Sequence, residues 1–394
     1  MSVTLSGITP SSTHLSGNPI QVLVTSSGAP AGSSAYEVLL KIESVDGELE
    51  GAPFIDADTP NADGLVKFNI SALVDQAVSR SIAWPIPTLY EGKFHGYLNM
   101  VYDVHLIPGE KYIDSNGVLQ ETFGAPLGIF VVKGKMPEYL LAEFNEDNTD
   151  WSKWYCEGKH FMSLMPREQT VSPYQPVKLW WKTNQVSEAF TGTITAYYSD
   201  GSTEVHTDAG ISYRTILFEY DLQPPQLGFI LDNGIKRLVK YTCTVGGETF
   251  TFNVDWAHYE KYYYLFVDNQ IGGIECIWLK GRMKYEPEGK RTISVKPRQQ
   301  GDGIKIPSLR VSGNSRQRKW IINSGYKPGE MPGLDILLDT PNAWLALPPE
   351  GGDTTDIQQY SLIPVIVSSN SLALFDDMNN NMDETDIELL EAHI

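Results

Sequence analysis

Seven histidines (His14, His95, His105, His160, His206, His258 and His393) are the side chains best suited to moving protons near neutral pH. None stands four residues from another beside a glutamate, so the zinc-binding helix of a metalloprotease is excluded. There is no nucleophile elbow, phosphate-binding loop or dinucleotide fingerprint. Gly301-Asp302-Gly303 lacks both the third glycine and a following helix. His105 alternates with apolar neighbours in a strand-like run, where a structural or surface role outweighs catalysis. Cys156, Cys243 and Cys276 are an odd set without metal spacing. Cys243 and Cys276 fall inside predicted strands, where a free thiol acts as a small buried hydrophobe. The run Asp376 to Asp383 has enough oxygens for calcium but lacks the spacing and the glycine of an EF-hand loop. It reads as a solvated hairpin loop. No catalytic residue, metal ligand or cofactor-binding residue is assigned, no cofactor is expected, and the chain is read as a non-enzyme.

Two sets of residues remain that could bind rather than react. Trp151, Trp154, Trp180, Trp181 and Tyr262 to Tyr264 are candidates for a sugar platform. Adjacent residues of a strand point to opposite faces, so at least one of Trp180 and Trp181 belongs to a core. The second set is ionic. Residues 280–319 hold twelve basic and three acidic residues, a net +9, so the rest of this −19 chain carries −28. Residues 375–394 contain seven acids and neither lysine nor arginine. Three readings of the basic band compete: solvated loops, contact with a neighbouring subunit of opposite charge, and nucleic-acid binding. The last is disfavoured in an acidic chain whose band has few interleaved aromatics. For the second, the candidate interface residues are Lys284, Arg291, Lys296, Arg298, Arg316 and Arg318.

Something must hold these residues in place, and the periodicity says it is β-sheet. Tyr36 to Val45 alternates, with Val38, Leu40 and Ile42 on one face against Glu37, Lys41 and Glu43. Leu98, Met100, Tyr102, Val104 and Leu106 form a second apolar face, and Val66 to Ile70 and Leu127 to Val132 add further strands. Asn69 or Ser71 can cap one short helix whose inner side is Leu73, Val74, Ala77 and Val78. Later in the chain, Gly246-Gly247 separates strands predicted at 238–245 and 248–254. Gly272-Gly273 likewise separates the aromatic run Tyr262 to Val267 from Ile274 to Lys280, a pair rich enough in apolar residues to be covered on both faces. The 34 glycines and 24 prolines lie mostly between short apolar runs, as turns do in all-β proteins.

The expected fold is all-β: tandem antiparallel β-sandwich domains followed by a C-terminal mixed, mainly β module. The expected boundaries are 1–135, 136–256 and 257–394, the last with a basic, glycine-poor bridge at 282–319 and an acidic terminal strand from Asp386. A short helix over 333–339 should end before Pro341. The N-terminal residues MSVTLSGITP are polar and strand-like, and no run nears the ~18 apolar residues of a membrane span. A soluble protein made in a cytoplasm is the expectation.

Four segments carry a resemblance to tail proteins of phages and prophages of Bacteroidetes. They are PVKLWWKTNQVSEAFTGTITAYYSDGST, YYYLFVDNQIGGIECIWLKG, KWIINSGYKPGEMPGLDILLDTPNAWL and SLIPVIVSSNSLALFDDMNNNMDETDIELLEAHI. The likeness covers roughly residues 120–394, more weakly before that. The chain departs from the pattern at Pro328 and Pro332, where relatives look more continuously helical, and at a Gly/Asp/Gln insertion over 348–359. The resemblance implies a non-enzymatic virion component, assembled in many copies in the bacterial cytoplasm. Its implied place is the tail, as a ring, adaptor or tail-tip (baseplate) protein, and its implied partners are copies of itself in a ring and other tail proteins. A glycan-binding adhesin or receptor-binding module is the alternative, and a β-sandwich hydrolase a distant third.

Overall fold

The computed structural model describes residues 3–44, 49, 51–78, 94–97, 101–137, 160–183, 188–212, 217–257, 259, 261–295, 309–325, 334–340, 342–350, 359–369, 372 and 384–392. Side chains are described for these except 94–97, 188, 211–212, 288, 290–295 and 309–316. The architecture is all-β, with sheets mainly antiparallel.

The first stretch supplies β1 (Val3–Ser6), β2 (Thr13–Leu15), β3 (Gln21–Ser26), β4 (Ser34–Ser44), β5 (Phe54–Asp58), β6 (Leu65–Asn69), α1 (Ser71–Ala77), β7 (Phe94–Tyr97), β8 (Val101–Ile113), β9 (Leu119–Phe123) and β10 (Leu127–Val132). One sheet runs β1-β3-β6. The other runs β2-β10-β8-β4-β5, with β9 paired to β8. Alternation does what the sequence predicts. Val38, Leu40 and Ile42 of β4 meet Val22, Val24, Val66 and Phe68 of the facing sheet, and Val74 and Ala77 of α1 close one end. The Asn69 side chain accepts a hydrogen bond from Ser71 N at 3.3 Å, satisfying one backbone donor of the helix's first turn. The strand expected over 97–107 differs from what forms. Tyr102, Val104 and Leu106 do face the core from β8, but 94–97 is a separate strand, and Leu98 and Met100 lie outside the described residues.

The second stretch supplies β11 (Glu168–Val171), β12 (Lys178–Lys182), β13 (Glu188–Tyr198), β14 (Thr203–Ser212), β15 (Leu217–Asp221), β16 (Leu238–Val245) and β17 (Glu248–Val254). One sheet runs β11-β17-β16-β13-β14, and the other runs β12-β15-β7. Strand β7 thus crosses from the first stretch into a sheet of the second. The core between the sheets is aromatic, with Phe161, Trp181, Phe190, Phe218, Tyr241, Phe250 and Phe252 all buried. Gly246 and Gly247 join β16 to β17 with φ of 59° and 90°, the left-handed pair a two-residue hairpin loop requires. A Cβ on Gly246 would also come within 2.6 Å of the Trp181 ring.

The third stretch supplies β18 (Tyr263–Asp268), β19 (Ile274–Leu279), β20 (Met283–Val295), β21 (Leu309–Asn323), α2 (Ile336–Asp339), β22 (Ala343–Leu347), β23 (Ser361–Val367) and β24 (Asp386–Glu391). They form one sheet in the order β19-β18-β22-β23-β24-β21-β20. Every residue of β18 and β19 is buried, because both faces are covered. Tyr263, Leu265, Val267, Ile277 and Leu279 join a core with Trp320, Ile336, Leu337 and Leu389. On the opposite face, Tyr264, Phe266, Ile274, Cys276 and Trp278 meet Leu15, Val132 and Met136 of the first stretch and Met162, Trp180 and Leu217 of the second. This hairpin is the joint of the molecule. Its tip is gripped from both sides: Lys135 N donates to Gln270 O at 2.7 Å, and the Asn269 amide donates to Met162 O at 2.6 Å.

The basic segment overturns the expectation of a solvated bridge. β20 and β21 form one continuous antiparallel pair, from Met283 opposite Ile322 to Val295 opposite Leu309, with an irregularity at Thr292/Ile293. Backbone hydrogen bonding, which is indifferent to side-chain polarity, makes strands of a sequence without apolar alternation.

Candidate assembly interface

The β20–β21 ribbon has a supported base and an unsupported outer part. At the base, Lys319 to Asn323 of β21 also pair with β24. Beyond it, residues 287–295 and 309–318 pair with one another and with no third strand among the described residues. At about 3.3 Å per residue the outer part of β20 reaches about 30 Å. A two-stranded ribbon buries little by itself and is marginal in water, so a lasting ribbon needs a surface to lie on.

The interface residues fall into three groups. Arg318 and Lys284 sit near the base. The Arg318 guanidinium donates to both Glu391 oxygens, with Nε to Oε2 at 2.7 Å, and lies 5.6 Å from the Trp320 ring centre. The hydrogen bond to Glu391 raises its pKa further above the usual arginine value. Lys284 is exposed and pairs with Glu286 of its own strand. Arg291 and Arg316 lie on the outer ribbon, opposite Asn314 and Gly289 respectively, and their side chains are outside those described. Lys296 and Arg298 lie outside the described residues altogether.

Acid and base do meet within one chain, at the base of the ribbon. Lys319 reaches Glu388 at 2.8 Å, and Glu391 holds Arg318. The acidic terminal segment is therefore not a free counter-surface: β24 is an interior strand, and Asp386 accepts from the Asn323 amide at 2.9 Å. This narrows the interface expectation, because Arg318 already has its carboxylate. The outer cations differ. Lys290, Arg291, Arg310 and Arg316 stand opposite Ser315, Asn314, Ser294 and Gly289, with no acid in register.

The other candidates resolve into structure. Trp180 and Trp181 are 1% and 2% exposed and serve opposite cores, and Tyr263 and Tyr264 do the same. None is a platform for a sugar ring. Trp151 and Trp154 lie outside the described residues, as do the Asp376 to Asp383 run, Gly301 to Gly303, His258 and His393. Exposed aromatic faces elsewhere carry cations, with Lys236 over Tyr198 at 3.8 Å and Arg237 over Trp256 at 4.9 Å. His14 is pushed down to about 4 by burial and by the nearby Lys182 charge, so it is neutral at physiological pH. His160 hydrogen-bonds Glu248 at 2.5 Å. Burial pulls Glu248 upward, but the His160 bond and the Arg167 charge outweigh it and hold this carboxyl low. Among the described residues no three His, Cys, Asp or Glu side chains are grouped to hold a metal. No described helix is long and apolar enough to cross a membrane.

Sequence reasoning missed a row of buried charge at the joint. Lys178 of β12 makes an ion pair with Glu219 of β15, both side chains 3% exposed or less. Asp221 lies directly across from Lys178, and burial foremost raises its pKa. Lys182, at the end of β12, is also fully buried. Glu275 of β19 accepts from the Asn269 amide at 2.9 Å and from Leu164 N at 3.3 Å, and burial pushes it up to about 7. The available signal was the pattern Lys-x-Trp-x-Lys facing Glu-x-Asp, charges of opposite sign at strand spacing.

No protein-family model matches the chain. No curated protein matches it. Among solved structures it is similar to Salmonella alpha-2-macroglobulin reacted with methylamine, at 9% identity and a TM-score of 0.20, over 82% of this chain and 25% of that one. A mutant of Salmonella alpha-2-macroglobulin gives 9% identity and a TM-score of 0.20, over 100% of this chain and 31% of that one. The chain thus spans 25% and 31% of the length of those chains. A likeness this weak carries no argument about activity.

Proposed function

We propose that this chain is a non-enzymatic structural component of a phage tail, a ring, adaptor or tail-tip protein that works in several copies in the virion. The observation that carries the reading is the outer ribbon: two long basic strands that pair only with one another among the described residues, in a chain that is otherwise strongly acidic. Such a ribbon gains stability by lying on another surface, and its charge selects an acidic one. The acidic surface of an identical copy or of a neighbouring tail protein fits. Exposed ion pairs add only about 0–1 kcal/mol each, so the charge acts on register and rate of assembly more than on fold. The buried joint supports the same reading, since a component under mechanical load needs its three stretches locked by a shared core.

The test is incorporation. Lys284→Glu, Arg291→Glu and Arg316→Glu together should leave the melting temperature of the purified chain nearly unchanged while preventing its entry into particles. Normal incorporation at physiological salt would show that the ribbon is only a solvated hairpin.

A further inference from the structure

The ribbon leaves open which surface receives it, and the other end of the molecule offers one. β5 ends the larger sheet of the first stretch and pairs only with β4, so its outer edge is a free row of backbone donors and acceptors. Four of its five residues are exposed, Ile55 at 52%. Asp56 and Asp58 bond only the backbone N–H of Ala57 and Thr59, at 2.9 and 2.7 Å, and have no cationic partner. Two such edges repel one another, which guards β5 against pairing with itself. A basic strand with a free edge is not repelled. β20 is that strand: it ends the sheet of the third stretch and pairs only with β21.

We propose that β5 of one copy takes β20 of the next copy as an added strand, so that the acidic edge of the first stretch and the basic edge of the ribbon form a head-to-tail interface between identical chains. This rests on the multi-copy reading above and names its contact. The pairing would use main-chain hydrogen bonds for strength and the Asp56/Asp58 against Lys290/Arg291 charges for register. Pro287 has no N–H to donate, which places the contact on the part of β20 beyond it, residues 288–295. Because the two edges belong to different sheets, the interface is heterologous and repeats from copy to copy, closing into a ring where the rotation permits.

The experiment is sedimentation velocity of the complete chain in 50 mM and 500 mM NaCl, with two charge-reversed variants. One carries Asp56→Lys and Asp58→Lys, the other Lys290→Glu and Arg291→Glu. The unaltered chain should self-associate at low salt, and each variant alone should lose at least tenfold in association. An equimolar mixture should associate again, as should one chain carrying all four changes. Rescue excludes misfolding as the cause. As a second readout, Ala57→Cys with Gly289→Cys should give disulfide-linked ladders on oxidation. The site at Gly289 is open, with nothing within 4 Å of an added Cβ, and the native Cys243 and Cys276 are buried. If the ribbon variant loses association and the β5 variant keeps it, the acceptor is elsewhere and this inference is wrong, while the multi-copy reading stands. A chain monomeric in both salts overturns the contact between identical copies, and incorporation into particles then decides the broader reading separately.

Discussion

Replacing Glu275 with glutamine should make the protein more stable at pH 8 and leave its stability unchanged at pH 4. Glu275 is fully buried at the joint, and burial raises its carboxyl from 4.5 to about 7 against the opposing effect of hydrogen bonds from Asn269, Ser163 and Leu164. Below pH 4.5 the group is protonated whether the chain is folded or not, and its stabilising contribution is complete. Between 4.5 and about 7 the unfolded chain gives up the proton while the folded chain keeps it, so stability falls as pH rises. Above about 7 both states are ionised and the loss is constant. A difference of about 2.5 pKa units at 1.36 kcal/mol each makes that loss about 3 kcal/mol. Glutamine keeps the shape and an oxygen for Leu164 N and the Asn269 amide, but carries no proton to lose. Denaturant unfolding of both proteins from pH 4 to 8.5 gives the difference curve, in which all other titrating groups cancel. It should open between pH 4.5 and 7 and reach about 3 kcal/mol in favour of the variant. Parallel curves, or a variant that loses ground as pH rises, would refute the assignment of a buried, proton-holding carboxyl.

Other perturbations of the joint have equally definite outcomes. Trp278→Ala removes a fully buried indole that stacks on Tyr262 at 5.8 Å and meets the edge of Tyr259 at 5.2 Å. It should cost about 3–5 kcal/mol in unfolding free energy, and a loss below 1 kcal/mol would contradict its place in the core. Lys178→Met leaves Glu219 and Asp221 buried without their cation and should cost about 3–5 kcal/mol at pH 7. Adding Glu219→Leu should restore part of that stability, and a double variant no better than the single one would argue against a coupled pair. Gly246→Ala should destabilise by more than 1 kcal/mol, roughly the cost of left-handed backbone in an alanine plus its contact with Trp181.

The fold was legible wherever burial is set by a strand's own sheet. Leu238–Val245 and Glu248–Val254 have the limits the sequence predicts, because Tyr241, Cys243 and Val245 alternate with threonines and a glycine pair separates the strands. The β18–β19 hairpin announced burial on both faces by having no polar face to expose. Two features were illegible for opposite reasons. β20 and β21 are polar on both faces beyond Tyr285 and Trp320, so no apolar period marks them, and their charge density mimics a loop. Lys178 and Lys182 do alternate with Leu179 and Trp181, which marks a strand with a wet face. That face is dry because the third stretch covers it, a contact more than eighty residues away that no local pattern encodes. The interface residues share this limit: the sequence shows their charge, but their partners depend on register with β24 and on surfaces outside the chain.

The most direct test of the central claim is an electron cryomicroscopy reconstruction of the particle, at a resolution that traces β20 and β21. The account predicts several copies of this chain around the tail, with residues 287–295 and 309–318 buried against a neighbouring subunit. A particle without the chain, or one in which both strands of the ribbon stand free in solvent, would contradict it.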